Sequence, residues 1–200
     1  MADLRDLIVS RVRVKMLELF YNNPEEMYYV RQITREIKEE INAVRRELDR
    51  LLGTGLLKSE QRGNRLYYSL NPRYLYYQEL QQIVIKATGL GQKIRRLRRK
   101  LGDLKFVMFS GKFIKGLVPT KDEVEVLIIG DVVLPELQAL MKEEEKRLGR
   151  EVNYAVFDKE EFEFRKARRD PFVMEILYRT RIMIIGDEAE FTHREQQQSL

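Results

Sequence analysis

The first seventy residues of the chain place three apolar stretches with helical spacing before two short strand-like runs, and few folds accommodate this order. The helical stretches cover residues 4–21, 30–37 and about 40–52. The strand-like runs, 56–61 and 65–70, flank a turn that contains Gly63. Three helices and a hairpin, with a tight turn before the third helix, predict a winged helix-turn-helix over residues 1–73.

Charge is distributed unevenly along the chain. Residues 1–90 carry 15 Lys and Arg against 12 Asp and Glu, and residues 91–105 carry 7 against 1. Residues 106–200 carry 15 against 19, so this part is acidic although the whole chain has a net charge of +5. The asymmetry predicts two modules, of which the N-terminal one faces nucleic acid.

Residue usage excludes several classes of site. The chain has no cysteine, which excludes disulfides, thiolate metal sites and cysteine nucleophiles. Its one histidine, His193, lies in a polar stretch, which excludes histidine zinc sites and Ser-His-Asp triads. No apolar run approaches the ~18 residues of a membrane span, and the first residues lack the pattern of a signal peptide. We expect a cytoplasmic protein with no cofactor and no membrane contact.

The third predicted helix presents an apolar face and an opposite polar face when its residues are placed about 100° apart. Asparagine and arginine pair bidentately with adenine and guanine edges in the major groove. The hairpin adds side chains suited to phosphate or minor-groove contact. Arginines opposite a core face are, taken alone, typical of a solvated surface; together with the hairpin they predict binding to double-stranded DNA. The DNA-binding candidates are Asn42, Arg45, Arg46, Arg50, Lys58, Arg62, Asn64 and Arg65.

Four motifs fall together in this region. They are R-x-I-x-R-x-I from Arg31, V-x-R-x-L from Val44, G-x-G-L-L from Gly53, and R-G-N-R-x-Y-Y from Arg62. With these motifs, residues 10–75 resemble the winged helix of arsenic-repressor-type regulators. The resemblance implies a DNA-binding transcriptional regulator. One departure is Lys38, where the family often has a turn glycine.

The second half alternates strand-like and helical stretches. Strands are predicted at 105–110, 123–130, 151–157 and 181–186, and helices at 134–148, 159–169 and 172–179. This order predicts a small mixed sheet with helices packed on it. The expected fold class is therefore α+β or α/β with two domains, a winged helix-turn-helix followed by a small mixed α/β sheet domain over residues 105–187.

Two motifs in this half carry a second resemblance. One reads Gly111-Lys112-Phe113-Ile114-Lys115-Gly116, and the other reads Glu123-Val124-Glu125 at the start of an apolar run. They stand where minimal polymerase-β-type nucleotidyltransferase domains have Gly-Ser-[Phe/Tyr]-Ala-Arg-Gly and Asp-x-Asp. Residues 100–187 resemble that family, whose members are often fused behind winged helices.

The resemblance implies a site in which aspartates hold two magnesium ions for phosphoryl transfer. Here both aspartates are glutamates, Lys112 replaces a serine, and Asn153 stands on the candidate third strand. A carboxylate displaced by one C–C bond does not suit the near-octahedral geometry that magnesium demands. We expect a degenerate pocket with no metal and no catalytic residue, in which Lys112 pairs with Glu123 or Glu125. Its residues are Gly111, Lys112, Lys115, Gly116, Glu123, Glu125 and Asn153.

Three functions are compatible with these features. The first is a DNA-binding regulator whose second domain is catalytically inactive and binds a nucleotide or small-molecule effector or promotes oligomerisation. The second is an active metal-dependent nucleotidyltransferase tethered to a winged helix. The third is an interaction scaffold that does not bind DNA.

The segments outside the two domains complete the prediction. Residues 74–104 are expected to form connector helices, including an amphipathic basic helix over 93–105 that suits either DNA-backbone contact or a solvated cap. Residues 188–200 are expected to be a flexible tail. A homodimer is expected, with the apolar first helix and the connector tyrosines Tyr74, Tyr76 and Tyr77 as contact surfaces.

Overall fold

The computed structural model describes residues 8–120 and 123–193, and the chain divides into two compact units, residues 1–89 and 90–200. It has mixed α/β structure with two small sheets, which agrees with the expected class at that level. The predicted connector, 74–104, is divided between the units. Among the described residues, no helix is long and apolar enough to cross a membrane.

The first unit packs helices against a three-stranded antiparallel sheet. Its elements are α1 (Arg11–Asn22), β1 (Tyr28–Tyr29), α2 (Val30–Ile37), α3 (Ile41–Gly53), β2 (Leu57–Arg62), β3 (Arg65–Leu70) and α4 (Tyr77–Ala87). The strand order is β1-β3-β2. Strand β1, which precedes α2, therefore pairs with β3 and adds a third strand to the hairpin of β2 and β3. This order of elements agrees with the periodicity of the sequence.

Helix α1 belongs to the core of the first unit. Within the described residues it begins at Arg11, because the Ser10 hydroxyl accepts a hydrogen bond from the Arg13 N–H and caps the helix. Residues 4–7 of the predicted helix lie outside the described residues. Its apolar side chains, including Phe20 and Tyr21, are buried in the core of the unit. These side chains are therefore occupied within their own unit, and the role of the first helix in a dimer stays a prediction.

The turn between α2 and α3 depends on an unusual backbone conformation at Lys38. This residue lies in the left-handed region, with a φ of 52°, which side chains other than glycine adopt at a cost. The Lys15 ammonium fixes the turn by donating to the Ile37 carbonyl at 2.7 Å and to the Glu39 carboxylate at 2.6 Å. The turn therefore forms without glycine and is supported from α1.

Lys38→Gly is expected to stabilise the first unit by up to about 1 kcal/mol, because glycine adopts a positive φ without the steric cost that lysine carries. Urea denaturation followed by circular dichroism measures the change. Lys38→Ala is the control, since it removes the side chain but keeps the Cβ atom, and it should give no gain. An equal gain from alanine would locate the effect in the side chain and contradict a backbone origin.

The second unit is built on a four-stranded mixed sheet. Its elements are α5 (Gly89–Arg96), α6 (Arg98–Leu101), β4 (Gly102–Ser110), α7 (Gly111–Ile114), β5 (Val126–Val132), α8 (Leu134–Leu148), β6 (Tyr154–Phe157), α9 (Lys159–Ala167), α10 (Pro171–Tyr178), β7 (Arg181–Ile185) and α11 (Glu188–Thr192). The strand order is β6-β5-β4-β7, with β5 and β6 parallel and the other pairs antiparallel.

Both faces of this sheet are covered, because consecutive residues of its central strands are all buried. Leu127 and Ile129 belong to a core cluster with residues of α9, α10 and α11, while Val126 and Ile128 between them are buried as well. Alternate side chains of a strand point to opposite faces, so helices must pack on each side. The strand ends that carry the predicted pocket residues thus belong to a sheet that is packed on both faces.

Two predicted segments of this unit differ from the structure. The basic stretch 93–105 is not one helix: it is interrupted at Leu97, and strand β4 begins at Gly102, because Leu101 and Leu104 are drawn into the core. The expectation of a flexible tail from residue 188 is wrong for Glu188–Thr192, which form α11 and bury Phe191 against Phe106 and Phe162. The rest of that predicted tail, 194–200, lies outside the described residues.

Candidate nucleic-acid interface and a cluster of ion-paired acids

Helix α3 is positioned by a core face and by a cap at its first turn. Val44 and Leu48 are fully buried. Glu40 precedes the helix, and its carboxylate accepts hydrogen bonds from the backbone N–H groups of Asn42 and Ala43, each at 2.8 Å. These bonds lower the pKa of Glu40, with a smaller contribution from the nearby Arg46 and Arg45. The capped end of α3 is therefore rigid and carries polar side chains.

The polar face of α3 is exposed to solvent as the sequence predicts. All four of its candidates are exposed: Asn42, Arg45, Arg46 and Arg50. Within the described part of the chain, the side chains of Arg45 and Arg46 make no hydrogen bond or ion pair. Arg50 differs, because it lies 3.5 Å from the carboxylate of Glu47. Arg45 and Arg46 are thus the arginines of this helix with guanidinium groups available to a ligand.

Glu47 is a buried acid that the sequence analysis missed. Its carboxylate is 3% exposed and accepts a 2.5 Å hydrogen bond from the Arg13 guanidinium of α1, besides its contact with Arg50. A buried carboxylate is tolerated only when it is paired. The Arg13–Glu47 pair joins α1 to α3, and the same carboxylate engages Arg50.

The hairpin of β2 and β3 lies in the same unit and exposes its four predicted residues, but two of them are engaged. Arg62 pairs bidentately with Glu60 at 3.0 and 3.2 Å, and the Arg65 guanidinium lies 4.6 Å from the centroid of the Tyr29 ring. Lys58 and Asn64 are exposed on the strand and at the turn. Lys58 is therefore the hairpin cation best placed to meet a phosphate without first leaving a carboxylate.

In the second unit, the predicted pocket residues gather where β4 ends and β5 begins. Ser110 caps the short helix α7 by accepting from the Phe113 N–H at 3.2 Å, and the Gly111 N–H donates to the Thr180 carbonyl at 2.7 Å. A Cβ atom on Gly111 would lie 3.2 Å from Thr180, so a larger residue would crowd this contact. Lys112 is thereby aimed at the acids, whereas Lys115 and Gly116 are exposed and Gly116 has a positive φ.

Glu123 is surrounded by hydrogen-bond donors. The Lys112 ammonium donates to it at 2.5 Å, the Thr120 N–H donates at 2.8 Å, and the Arg179 guanidinium forms a further short contact. The bond from Lys112 is the largest of the causes that hold the pKa of Glu123 well below its usual range. The predicted ion pair of Lys112 with one of the two glutamates is thus confirmed for Glu123.

Glu125 belongs to a different ion pair. Its side chain is fully buried and is bound bidentately by the Arg150 guanidinium at 2.7 and 2.9 Å, with a further bond from the Asn153 N–H at 3.1 Å. The side-chain amide of Asn153 donates to the Glu123 carbonyl at 3.2 Å, and so ties the two acids together through the backbone. Both glutamates precede β5, and each carboxylate is bound by a different set of cations, Lys112 and Arg179 at Glu123 and Arg150 at Glu125.

The cluster does not fit magnesium chemistry. Each carboxylate already accepts charged hydrogen bonds, and a metal ion would have to displace guanidinium or ammonium groups to reach them. Among the described residues, no three acidic or histidine side chains gather closely enough to hold a metal ion. Arg150 and Arg179 were not predicted from the sequence, because they lie 25 and 56 positions from their partners and no local pattern marks them.

The acid cluster predicts a pH dependence of stability. Because the pKa of Glu123 is below its ordinary value of 4.5 in the folded state, its contribution is complete above that value and is lost as the pH falls through the acid range. The urea midpoint of Glu123→Gln should therefore lie below that of the parent protein at pH 7, and the difference should become smaller as the pH falls from 4.5 to 3. Glu136→Gln, on the exposed surface of α8, is the control and should show no such pH-dependent difference. A difference independent of pH would show that Glu123 is not stabilised as an anion.

No protein-family model matches this chain, and neither a curated protein nor a solved structure is significantly similar to it. A functional assignment therefore depends on the geometry and chemistry of the residues described above.

Proposed function

We propose that this protein is a DNA-binding transcriptional regulator with an N-terminal winged helix and a second, catalytically inactive nucleotidyltransferase-like domain. The observation that carries the proposal is the polar side of α3, where Arg46 is exposed opposite the buried Val44 and Leu48, with Asn42 and Arg45 exposed at its flanks. A rigid helix with unpaired guanidinium groups on its outer face suits insertion into the major groove.

In the proposed complex, α3 contacts the base edges in the major groove, and the hairpin contacts the phosphate backbone of the DNA or its minor groove. Asn42 and Arg46 are the side chains with bidentate geometry for adenine and guanine. Lys58 and Asn64 suit phosphate or minor-groove contact, which positions the protein but carries little sequence information. Arg62 and Arg65 would join them after exchanging their contacts with Glu60 and Tyr29.

We also propose that the regulator binds as a homodimer. A single winged helix contacts few base pairs, and two-fold symmetry doubles the site. The three tyrosines predicted as dimer contacts differ in exposure. Tyr74 and Tyr77 pack on the core of their own unit, whereas Tyr76 is exposed. Leu75 is exposed beside it, at 77%. A dimeric mass by light scattering at micromolar concentration is the expected result.

The second domain is proposed to act by binding rather than by catalysis. Lys112 and Arg179 form ion pairs with Glu123, and Arg150 forms one with Glu125, so a metal ion would have to displace protein cations to bind these acids. Without the ions, the developing charge of a transferred phosphate lacks its main stabilisation. The effector proposed for this domain is a nucleotide or another small anion.

The test of DNA binding is selection of duplexes from a random pool at a stated salt concentration, with a mock selection without protein as control. Enrichment of one sequence with two-fold symmetry is expected, and it would report operator class and dimer symmetry together. Retention of no duplex at low salt would contradict the proposal and favour the interaction scaffold.

Absence of nucleotide transfer is a separate expectation. The protein is incubated with labelled nucleoside triphosphates and magnesium or manganese, and with its own chain or small hydroxyl compounds as acceptors. No label above a mock reaction is expected, because the acids are neutralised by protein cations. Metal-dependent labelling that is lost in Glu125→Gln would contradict this and favour the enzyme. Calorimetry on the same sample measures nucleotide binding independently of transfer.

A further inference from the structure

We propose that the second unit carries its own contact surface for the phosphate backbone of double-stranded DNA, formed by Arg98, Arg99 and Lys100 on α6. The inference rests on the proposed DNA binding by the first unit and extends it to a unit to which no base-reading role is assigned. The surface would add affinity without adding sequence preference.

The distribution of charge singles out this segment. Residues 91–105 carry 7 basic and 1 acidic residue, whereas the remainder of the unit, from residue 106, carries 15 basic and 19 acidic residues. A polyanion such as DNA is therefore attracted to one short segment and repelled by the rest of the unit. The attraction is local, although residues 91–200 together are close to neutral.

The ion pairs of the unit show which of its basic residues are available to an external anion. Several basic residues of the unit lie beside carboxylates, as Lys93 does beside Glu143, Lys105 beside Glu190 and Lys112 beside Glu123. Within the described ranges, Arg99 and Lys100 form neither an ion pair nor a side-chain hydrogen bond. Their charges are therefore available to an external anion without the loss of an internal partner.

Helix α6 holds these cations on a fixed backbone. Leu101 is 1% exposed, and its carbonyl accepts from the Val133 N–H at 2.9 Å. At the other end, the Leu97 carbonyl accepts from the Lys100 and Leu101 N–H groups at 2.8 and 3.0 Å. The Arg98 guanidinium donates to the Leu104 carbonyl at 3.1 Å and braces the turn from outside. Three successive basic residues thus extend from a single anchored turn.

Phosphate groups are the part of DNA that such a surface fits. Successive residues of a helix point about 100° apart, so Arg98, Arg99 and Lys100 spread over a broad arc and do not converge on one base edge. Arginine and lysine on a solvated surface bind phosphates by charge, and each such contact releases counterions from the duplex. We therefore assign the surface to backbone contact that is independent of base sequence.

The experiment compares the salt dependence of duplex binding by the full chain and by Arg99→Gln/Lys100→Gln. Loss of two phosphate contacts should reduce the slope of log K against log salt by about 1.8, which at 0.1 M salt amounts to about a 60-fold loss in affinity. Preference among selected sequences should not change. Lys142→Gln/Lys146→Gln is the control, since it removes two exposed charges from the acidic helix α8 and should leave the slope unchanged.

The outcomes separate this inference from the proposed function. A parent protein that binds no duplex at any salt concentration would overturn both. Salt-dependent binding with the same slope in the parent and in Arg99→Gln/Lys100→Gln would overturn the second surface alone and leave DNA binding by the first unit intact. An equal loss of slope in the control variant would show that net charge rather than this surface is responsible. Tighter binding of a duplex RNA of the same length would overturn the assignment to DNA.

Discussion

Glu125→Ala is expected to lower the free energy of unfolding of the second unit by about 3–5 kcal/mol, because it leaves the Arg150 guanidinium without its carboxylate in a largely buried position. Arg150 is 22% exposed and Glu125 is fully buried, so water can replace the lost partner only in part. The Asn153 N–H loses an acceptor in the same variant. Urea denaturation followed by circular dichroism measures the change.

A double variant distinguishes loss of the pair from loss of the acid. Glu125→Leu/Arg150→Met replaces both charges by apolar groups of similar volume, and it should recover a large part of the stability that Glu125→Ala loses. Glu151→Ala is the control, because Glu151 is exposed and its loss should change stability by no more than about 0.5 kcal/mol. A loss below about 1 kcal/mol in Glu125→Ala would mean that the pair is not formed in solution. Glu125 would then be free to act as a metal ligand.

Arg46→Ala is expected to weaken binding to the best selected duplex by about 1–3 kcal/mol, or about 5- to 150-fold, and to relax base preference at one position. The reason is that Arg46 is exposed on the outer face of α3 without an internal partner, so its fork of donors is free to meet a guanine edge. Binding to the selected duplex and to single-base variants of it measures both effects.

Lys58→Ala provides the contrast for this prediction. It should weaken all duplexes by a similar factor and reduce the salt slope by about one ion, because a lysine on the hairpin meets phosphate rather than bases. Arg73→Ala is the matched arginine control, since Arg73 is exposed in the same unit but lies outside α3 and the hairpin. If Arg46→Ala behaved like Arg73→Ala in both affinity and selectivity, the choice of reading face would be wrong.

The order of elements could be predicted from the sequence because apolar periodicity is a local property. Helix α2 and helix α8 have the predicted bounds, and strands β3 and β7 agree within one residue. The predicted basic helix over 93–105 and the predicted tail failed for one reason. Their apolar residues, among them Leu104 and Phe191, pack against parts of the chain that lie far away in sequence.

Some properties of the candidate site residues could also be predicted from the sequence, and others could not. Exposure of the α3 face followed from helical geometry alone, whereas the prediction that Lys112 pairs with Glu123 or Glu125 came from the resemblance of their motifs to a nucleotidyltransferase site. The engagement of Arg50 by Glu47 and of Arg62 by Glu60 did not follow, although these pairs decide which cations are available to DNA. Ion pairing depends on side-chain positions that are set only when the elements have packed.

What the sequence determined by itself is the succession of helices and strands, the excess of basic charge before residue 106, and the chemical identity of the residues at the predicted pocket. The tertiary structure alone decided that Arg150 and Arg179 neutralise Glu125 and Glu123, and that Glu47 and Glu60 engage Arg50 and Arg62. The physical reason is that periodicity depends on separation along the sequence, whereas ion pairing depends on distance in the folded protein. Periodicity acts between residues a few positions apart, whereas a charge is neutralised by whichever partner the folded sheet brings within about 3 Å.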